Sequence, residues 1–124
     1  MRMQFLAGAV LALALAAGGA HAADMPGGVK MANGAMADAA GKALYTYEDD
    51  SMKGMSHCTG RCATAWPPLV AAADAKPAGD WTVITREDGS KQWAYKDKPL
   101  YTFARDEAGK AGTGEVVPKW KLAK

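Results

Sequence analysis

The sequence has few of the large aliphatic side chains that build most protein cores. After residue 22 it contains four Leu, one Ile, five Val and one Phe. So low a content is typical of disorder when net charge is high, but here 15 basic and 13 acidic residues nearly balance. We therefore expect a folded domain with an aromatic core, because each large aromatic side chain buries about 150–250 Å². Its members are Trp66, Trp81, Trp93, Trp120, Tyr45, Tyr47, Tyr95 and Tyr101.

A strong excess of one charge is also missing. The formal net charge is +2, and Lys91, Lys96 and Lys98 are interleaved with Asp88 and Asp97. This mixture is typical of a solvated surface, whereas a nucleic-acid interface needs clustered Lys and Arg. We therefore exclude nucleic acid as a partner.

Long hydrophobic runs are missing except at the start of the chain. Arg2 precedes a small and apolar run over 5–20, which ends in Ala20-His21-Ala22. The strongly apolar part is too short for a membrane span, and the small-x-small triplet predicts a signal peptide cleaved after Ala22. We expect a soluble mature chain, Ala23 to Lys124, in the periplasm or outside the cell.

Cysteine is scarce: Cys58 and Cys62 are the only two in the sequence. In an oxidising compartment they are expected to form a disulfide, which closes a short loop and contributes about 2 kcal/mol. Their spacing differs from the Cys-x-x-Cys of thioredoxin-like enzymes, so a thiol–disulfide redox protein ranks third among the functions considered. No cysteine follows the cleavage site, as a lipid anchor would require.

Histidine is equally scarce, since His57 is the only one left after cleavage. A hydrolase triad needs a nucleophile, a base and an orienting acid, and no such set is visible. Zinc prefers four closely spaced ligands, which His57 and two oxidised cysteines do not supply. The sequence therefore predicts neither an enzyme nor a zinc protein.

An internal repeat organises the mature chain. Alternating β-formers over 41–50 predict a strand with Tyr45 and Tyr47 on one face. The segment 97–106 repeats this pattern 56 residues later. A tryptophan and a leucine follow each copy, so we place repeat 1 at about 29–70 and repeat 2 at about 81–122.

A hairpin is predicted over 81–95, with its turn at Asp88-Gly89. A three-residue loop with Gly89 in the left-handed region pairs Val83 with Trp93, whereas a type I′ turn would pair Ile84 with Trp93. We favour the first register. A weaker hairpin, turning at Asn33-Gly34, is predicted in the first copy.

These elements predict an all-β fold. We expect two pseudo-repeats of antiparallel β-meander, packed into one small sandwich or barrel-like domain with one disulfide. The predicted organisation is a signal peptide at 1–22, a partly mobile segment at 23–40 and a β-repeat domain at 41–124. We expect a monomer without a membrane span.

The motifs resemble a bacterial family of predicted lipoproteins with a Tyr-x-(Phe/Trp/Tyr)-x-x-Asp motif, also called the secreted repeat of unknown function. The two copies are Tyr45-Thr-Tyr47-Glu-Asp-Asp50 and Tyr101-Thr-Phe103-Ala-Arg-Asp106. The segment from Cys58 through Cys62 to Trp66-Pro67-Pro68-Leu69 is similar to the family's Cys-x-Gly-x-Cys and Trp-Pro-Pro pattern. The resemblance implies an exported repeat domain and brings no assigned activity, substrate or catalytic residue.

The motif aspartates have a structural and a functional interpretation. At a strand end, Asp50 and Asp106 can accept backbone N–H bonds and stabilise the turn, which is the interpretation we favour. The alternative is that the two meet across the repeats as a metal site or a carboxylate pair. The tyrosines and tryptophans are assigned to the core rather than to a sugar or peptide groove.

Met52, Met55 and His57 are the residues that packing explains least, because they lie in a polar, glycine-containing segment. Thioethers select Cu(I), and imidazole suits both copper oxidation states. A copper site at these three residues, helped by Met25, Met31 or Met36, is therefore the named alternative to methionine as a flexible filler. The favoured function is a non-catalytic module that binds an unknown envelope or extracellular partner, without a cofactor.

Overall fold

The computed structural model describes residues 25–124, so the predicted signal peptide at 1–22 lies outside the described residues. The strands are β1 (Lys30–Ala32), β2 (Ala35–Ala37), β3 (Tyr45–Tyr47), β4 (Val70–Ala71), β5 (Trp81–Thr85), β6 (Lys91–Tyr95), β7 (Lys98–Pro99) and β8 (Trp120–Leu122). One short helix, α1 (Arg61–Ala65), and two 3₁₀ turns, Pro26–Gly28 and Gly114–Val116, complete these elements. None of the helices in this part of the chain is long and apolar enough to cross a membrane.

Within residues 25–124 all strand pairs are antiparallel, and they form three small sheets. β1 pairs with β2, β3 pairs with β8, and β6 lies between β5 on one edge and β4 and β7 on the other. The mostly β character is therefore confirmed. The sheets do not close on one another within 25–124, so sandwich or barrel packing is not confirmed.

The predicted register of the second hairpin is confirmed. Val83 pairs with Trp93 across β5 and β6. The Arg86 N–H donates to the Ser90 carbonyl over 2.8 Å, which leaves a three-residue loop in which Gly89 has a φ of 90°. The positive φ explains why glycine stands there.

The weaker hairpin of the first copy also forms, from β1 and β2. Its two-residue turn is Asn33-Gly34, with φ of 53° and 80°. Positive φ at both positions is the type I′ geometry for which Asn-Gly is the preferred pair. This hairpin lies within the segment 23–40, whose mobility stays a prediction.

The two repeats exchange strands and share one structure. Tyr45 pairs with Leu122 of the second repeat, and Tyr101 bridges to Pro68 of the first. At the centre, Tyr45 and Tyr101 exchange two backbone hydrogen bonds of 2.7 and 3.0 Å. Each repeat therefore supplies the strand partner that the other one needs.

The core consists of two clusters of buried side chains, and neighbouring residues in the motif enter different clusters. Leu44 and Leu100 pack with Trp81 and Trp93 in the first cluster. The second cluster is aromatic and contains Tyr45, Tyr101, Trp66, Phe103, Trp120 and the disulfide. Trp66 and Trp120 stack there with ring centroids 3.8 Å apart. The prediction of an aromatic core is confirmed, although Tyr47 and Tyr95 are only partly buried.

Candidate functional site

The motif aspartates close equivalent loops in the two repeats. The Asp50 N–H donates to the Tyr47 carbonyl, and the Asp106 N–H donates to the Phe103 carbonyl, both over 3.0 Å. Oδ1 of Asp50 accepts the His57 N–H at 2.6 Å, and Oδ1 of Asp106 accepts the Thr113 N–H at 2.9 Å. Each carboxylate therefore holds the loop that follows it, by a backbone N–H seven positions further along the chain.

The second oxygen of each aspartate contacts the opposite repeat. Tyr101 Oη donates to Asp50 Oδ2 over 2.5 Å, and Tyr45 Oη donates to Asp106 Oδ2 over 2.6 Å. The structure thus brings each aspartate to a tyrosine of the other copy rather than bonding the two carboxylates together. Among residues 25–124 no group of three or more His, Cys, Asp or Glu side chains is placed to hold a metal ion.

Burial controls the protonation of this network. Burial, and then the hydrogen bond to a carboxylate, raise the pKa of both Tyr45 and Tyr101 well above the ordinary 10.0. Burial also raises the pKa of Asp50, while hydrogen bonds from Tyr101 and His57 act in the opposite direction. The phenols therefore remain protonated donors through the neutral range.

A buried arginine extends the network in a way that the sequence analysis missed. Arg86 Nη1 donates to Ser56 Oγ over 3.0 Å and to Gln92 Oε1 over 2.7 Å, and Nη2 donates to the Cys58 carbonyl over 2.7 Å. Ser56 Oγ lies 2.7 Å from Tyr101 Oη. The burial of Arg86 could have been predicted from the sequence, because alternation along the hairpin places Arg86 on the same face as the buried Ile84.

The Cys58–Cys62 disulfide forms and lies against the aromatic cluster. Cys58 is fully buried, and the Cys62 carbonyl accepts the Trp66 N–H over 2.8 Å. The following prolines continue into the repeat interface, where the Pro67 carbonyl accepts the Thr102 N–H. The disulfide segment therefore anchors the tryptophan and the exchanged strand.

Met52, Met55 and His57 lie on one exposed loop between Asp50 and the disulfide. The two methionines are 55% and 47% exposed, and the Met55 N–H donates to the Met52 carbonyl over 3.2 Å. The His57 side chain is 41% exposed, with Nδ1 3.8 Å from Asp50 Oδ1. Met36, by contrast, is buried in the core.

An open groove, here called the lysine groove, has a volume of about 640 Å³. Its lysines come from three separate segments of the chain: Lys53, Lys96, Lys98, Lys119 and Lys121. The remaining lining residues are Thr46, Tyr47, Glu48, Asp50, Ser51 and Asp97. Local charge pattern predicts only a mixed surface around Lys96 and Lys98, because the position of Lys121 beside Thr46 depends on the pairing of β3 with β8.

Comparison with known proteins identifies the repeats. A family model described as "Secreted repeat of unknown function" matches residues 28–70 and again residues 82–124. No curated protein and no solved structure matches the chain. The chain therefore belongs to the family of secreted repeats of unknown function.

Proposed function

We propose that the protein is an exported, non-catalytic binding module that acts in the envelope or outside the cell after removal of residues 1–22. One observation carries this proposal. The tyrosine–aspartate bonds that join the two motif copies are buried, whereas the lysine groove stays open at the surface. Buried motifs supply the scaffold, and the groove supplies the contact surface.

The chemistry of the motif favours a scaffold over a catalyst. A general acid or base must come within hydrogen-bond reach of a substrate. Asp50 and Asp106 are buried, and their oxygens already accept bonds from tyrosines and backbone N–H groups. Their bonds hold the two repeats together, which is a structural role.

The test is an NMR titration of the ¹⁵N-labelled mature chain with neutral oligosaccharides, acidic oligosaccharides and soluble peptidoglycan fragments. We expect amide shifts at groove residues such as Thr46, Tyr47 and Ser51 with at least one probe, which should be recovered chemically intact. Shifts confined to other surfaces, or no shifts, would contradict a binding role for the groove. Cleavage or modification of a probe would contradict the non-catalytic assignment.

Copper binding is the second candidate, and the exposure of Met52 and Met55 favours it. A methionine used as a packing filler is buried, but these two side chains are about half exposed and lie outside both core clusters. Two thioethers and one imidazole form a donor set that suits Cu(I). Copper would be cargo held by the loop.

Asp50 adds support to the same candidate. A metal-binding histidine usually directs its second ring nitrogen towards a carboxylate or carbonyl, which fixes the orientation of the ring. In this structure Nδ1 of His57 faces Asp50 Oδ1 at 3.8 Å. The neighbouring carboxylate is therefore on the side that would leave Nε2 as the donor to copper.

Titration of Cu(I) against a chromogenic chelator tests the copper site. We expect stoichiometric competition by the oxidised mature protein and its loss in a Met52→Ala, Met55→Ala, His57→Ala variant. Val116→Ala is the control, because Val116 is 86% exposed, lies outside the loop and offers no donor to copper. Absence of competition, or equal loss in the control, would exclude the loop as the site.

A further inference from the structure

We propose that the lysine groove binds an acidic polysaccharide, with lysine ammonium groups contacting its carboxylates. This inference rests on the proposed function as a binding module and adds the chemical class of the ligand. It follows from three observations: the unpaired charge in the groove, the strained backbone at its rim and the concave shape of its surface.

The groove contains more lysines than its ion pairs neutralise. Within residues 25–124, Lys119 pairs with Asp49 at 3.0 Å, and Lys53 reaches Asp97 at 4.0 Å. The other three groove lysines, Lys96, Lys98 and Lys121, have no carboxylate within 4.0 Å in the described part of the chain. A lysine ammonium is a compact point charge with three donors, which suits single carboxylates spaced along a polymer.

Backbone strain is concentrated at the same place. Among residues 25–124, four non-glycine residues have positive φ, and three of them line the groove: Lys96 at 50°, Asp97 at 68° and Lys119 at 78°. Such residues cost energy that the surrounding structure must offset, and they cluster at functional sites. The strain therefore marks the groove as a site rather than as ordinary surface.

Two hairpin turns in the described part of the chain have positive φ at both central residues, as in a type I′ turn, and provide an internal comparison. The β1–β2 turn uses the preferred pair Asn33-Gly34, whereas the β6–β7 turn uses Lys96-Asp97 with the same signs of φ. The β1–β2 turn does not line the groove. The pair with the less favourable backbone energy, Lys96-Asp97, is therefore found where a lysine lines the lysine groove.

The shape and lining of the groove favour a polysaccharide over other polyanions. A flat lipid surface contacts a convex or planar patch, and these lysines line a concave surface that also contains Thr46, Ser51 and the partly exposed Tyr47. Hydroxyl groups and an aromatic ring are partners for sugar hydroxyls and sugar faces. Carboxylates beside the lysines, such as Glu48, repel the dense phosphates of nucleic acid more strongly than the widely spaced carboxylates of a polysaccharide.

The experiment compares the binding of polygalacturonate oligosaccharides and neutral dextran oligosaccharides to the mature chain by calorimetry. We expect the acidic oligosaccharide alone to bind, and its affinity to fall as salt rises, because the Debye length shrinks from about 10 Å at 0.1 M to about 3 Å at 1 M. A Lys98→Gln, Lys121→Gln variant should lose about tenfold in affinity, equivalent to about 1.4 kcal/mol. A Lys30→Gln, Lys76→Gln variant of equal net charge should lose less than about twofold.

The outcomes separate this inference from the proposed function. Dextran binding that is unaffected by the lysine substitutions would overturn the acidic ligand and keep a binding module. If neither sugar binds, the acidic ligand is overturned. If the NMR titration also shows no amide shifts at the groove, the binding role proposed for the protein is overturned as well. Equal loss in both variants would reveal non-specific charge attraction. Groove-dependent binding of anionic phosphatidylglycerol vesicles, without sugar binding, would also overturn the acidic polysaccharide.

A second variant tests the role of the strained turn. Lys96→Asn, Asp97→Gly gives the β6–β7 turn the residues of the β1–β2 turn. We expect its melting temperature to rise, because the preferred type I′ pair relieves the strain. The two substitutions remove one ammonium and one carboxylate, and the loss of Asp97 also frees Lys53. The affinity for polygalacturonate is therefore compared with that of an Asp97→Gly variant, which keeps Lys96, and should be at least about threefold lower. A higher melting temperature with unchanged affinity would remove Lys96 from the site.

Discussion

Tyr45 donates a buried 2.6 Å hydrogen bond to Asp106, which lies 61 residues further along the chain in the other repeat. Tyr101 makes the corresponding bond to Asp50 over 2.5 Å. Each motif copy therefore supplies a donor to, and accepts a donor from, the other copy. The relationship explains why a tyrosine and an aspartate occur together in both copies: each pair is completed only across the repeat interface.

The first prediction concerns these two phenols. Replacing Tyr45 or Tyr101 with Phe keeps the ring in the aromatic cluster but removes the only donor that the phenol offers to the buried carboxylate. Hydrogen bonds to charged groups contribute about 1.5–3 kcal/mol, so each variant should lose about that much free energy of unfolding in urea.

Tyr47→Phe is the matched control, because the Tyr47 hydroxyl donates an exposed 3.2 Å bond to Asp49. It should lose less than about 0.5 kcal/mol, as surface substitutions do. Tyr45→Phe and Asp106→Asn should also be coupled in a double-mutant cycle, since the two side chains share one bond. Additive losses in that cycle would show that the bond contributes nothing specific.

The second prediction is a loss of stability in alkali. Burial and the aspartate bonds raise the folded-state pKa of Tyr45 and Tyr101 above the ordinary 10.0. A raised folded-state pKa means that the stabilisation is fully present below pH 10 and is lost as the pH rises through the range above it. Urea midpoints measured between pH 8 and pH 11.5 should therefore fall above about pH 10.

The Tyr45→Phe, Tyr101→Phe double variant provides the control for this pH dependence. Its unfolding midpoint should start lower at pH 8 and decline less steeply above about pH 10. Phenolate absorbance should show that the wild-type chain retains two late-titrating tyrosines. An equal decline in both proteins would assign the alkaline loss to other groups.

The hairpin, the repeat and the aromatic core were predictable because they depend on local sequence or composition. Alternation places Tyr45 and Leu44 on opposite faces, and the three-residue loop at Gly89 sets the register of its hairpin. The scarcity of aliphatic residues required the tryptophans to be buried. These relationships hold whatever the arrangement of the remaining chain.

The exchange of strands and bonds between the repeats was not predictable in the same way. Tyr45 is equally compatible with a bond to Asp50 or to Asp106 until the pairing of β3 with β8 is known. The lysine groove depends on that same pairing, since it brings Lys121 beside Thr46. Single-sequence patterns report local periodicity, and they carry no information about which of two similar repeats supplies a partner.

The third prediction concerns the disulfide and the redox alternative. Thiol titration of the native protein should detect no free thiol, and titration after reduction and unfolding should detect two, because Cys58 and Cys62 are bonded and Cys58 is fully buried. The Cys58→Ser, Cys62→Ser variant should fold with a loss of about 2 kcal/mol, the value expected for so short a loop. Rapid reduction of the native Cys58–Cys62 disulfide by a mild dithiol, which is itself oxidised to its disulfide, would instead favour the redox function.

The last prediction follows from the exchanged strands. A chain divided between Lys76 and Pro77, in the exposed segment that joins the repeats, yields the fragments 23–76 and 77–124. The first fragment retains β3 but loses β8, and the second retains Tyr101 but loses the Pro68 bridge and Asp50. Neither fragment should unfold cooperatively alone at low micromolar concentration, whereas an equimolar mixture should regain a cooperative transition whose midpoint rises with concentration.

Because the repeats are similar, the second fragment alone should be examined over the same concentration range, so that self-association is recognised by its own concentration dependence. Independent folding of either fragment at every concentration would show that a single repeat is a self-sufficient folding unit. The Tyr–Asp bonds would then join two repeats that are already folded, and neither repeat would need them to fold.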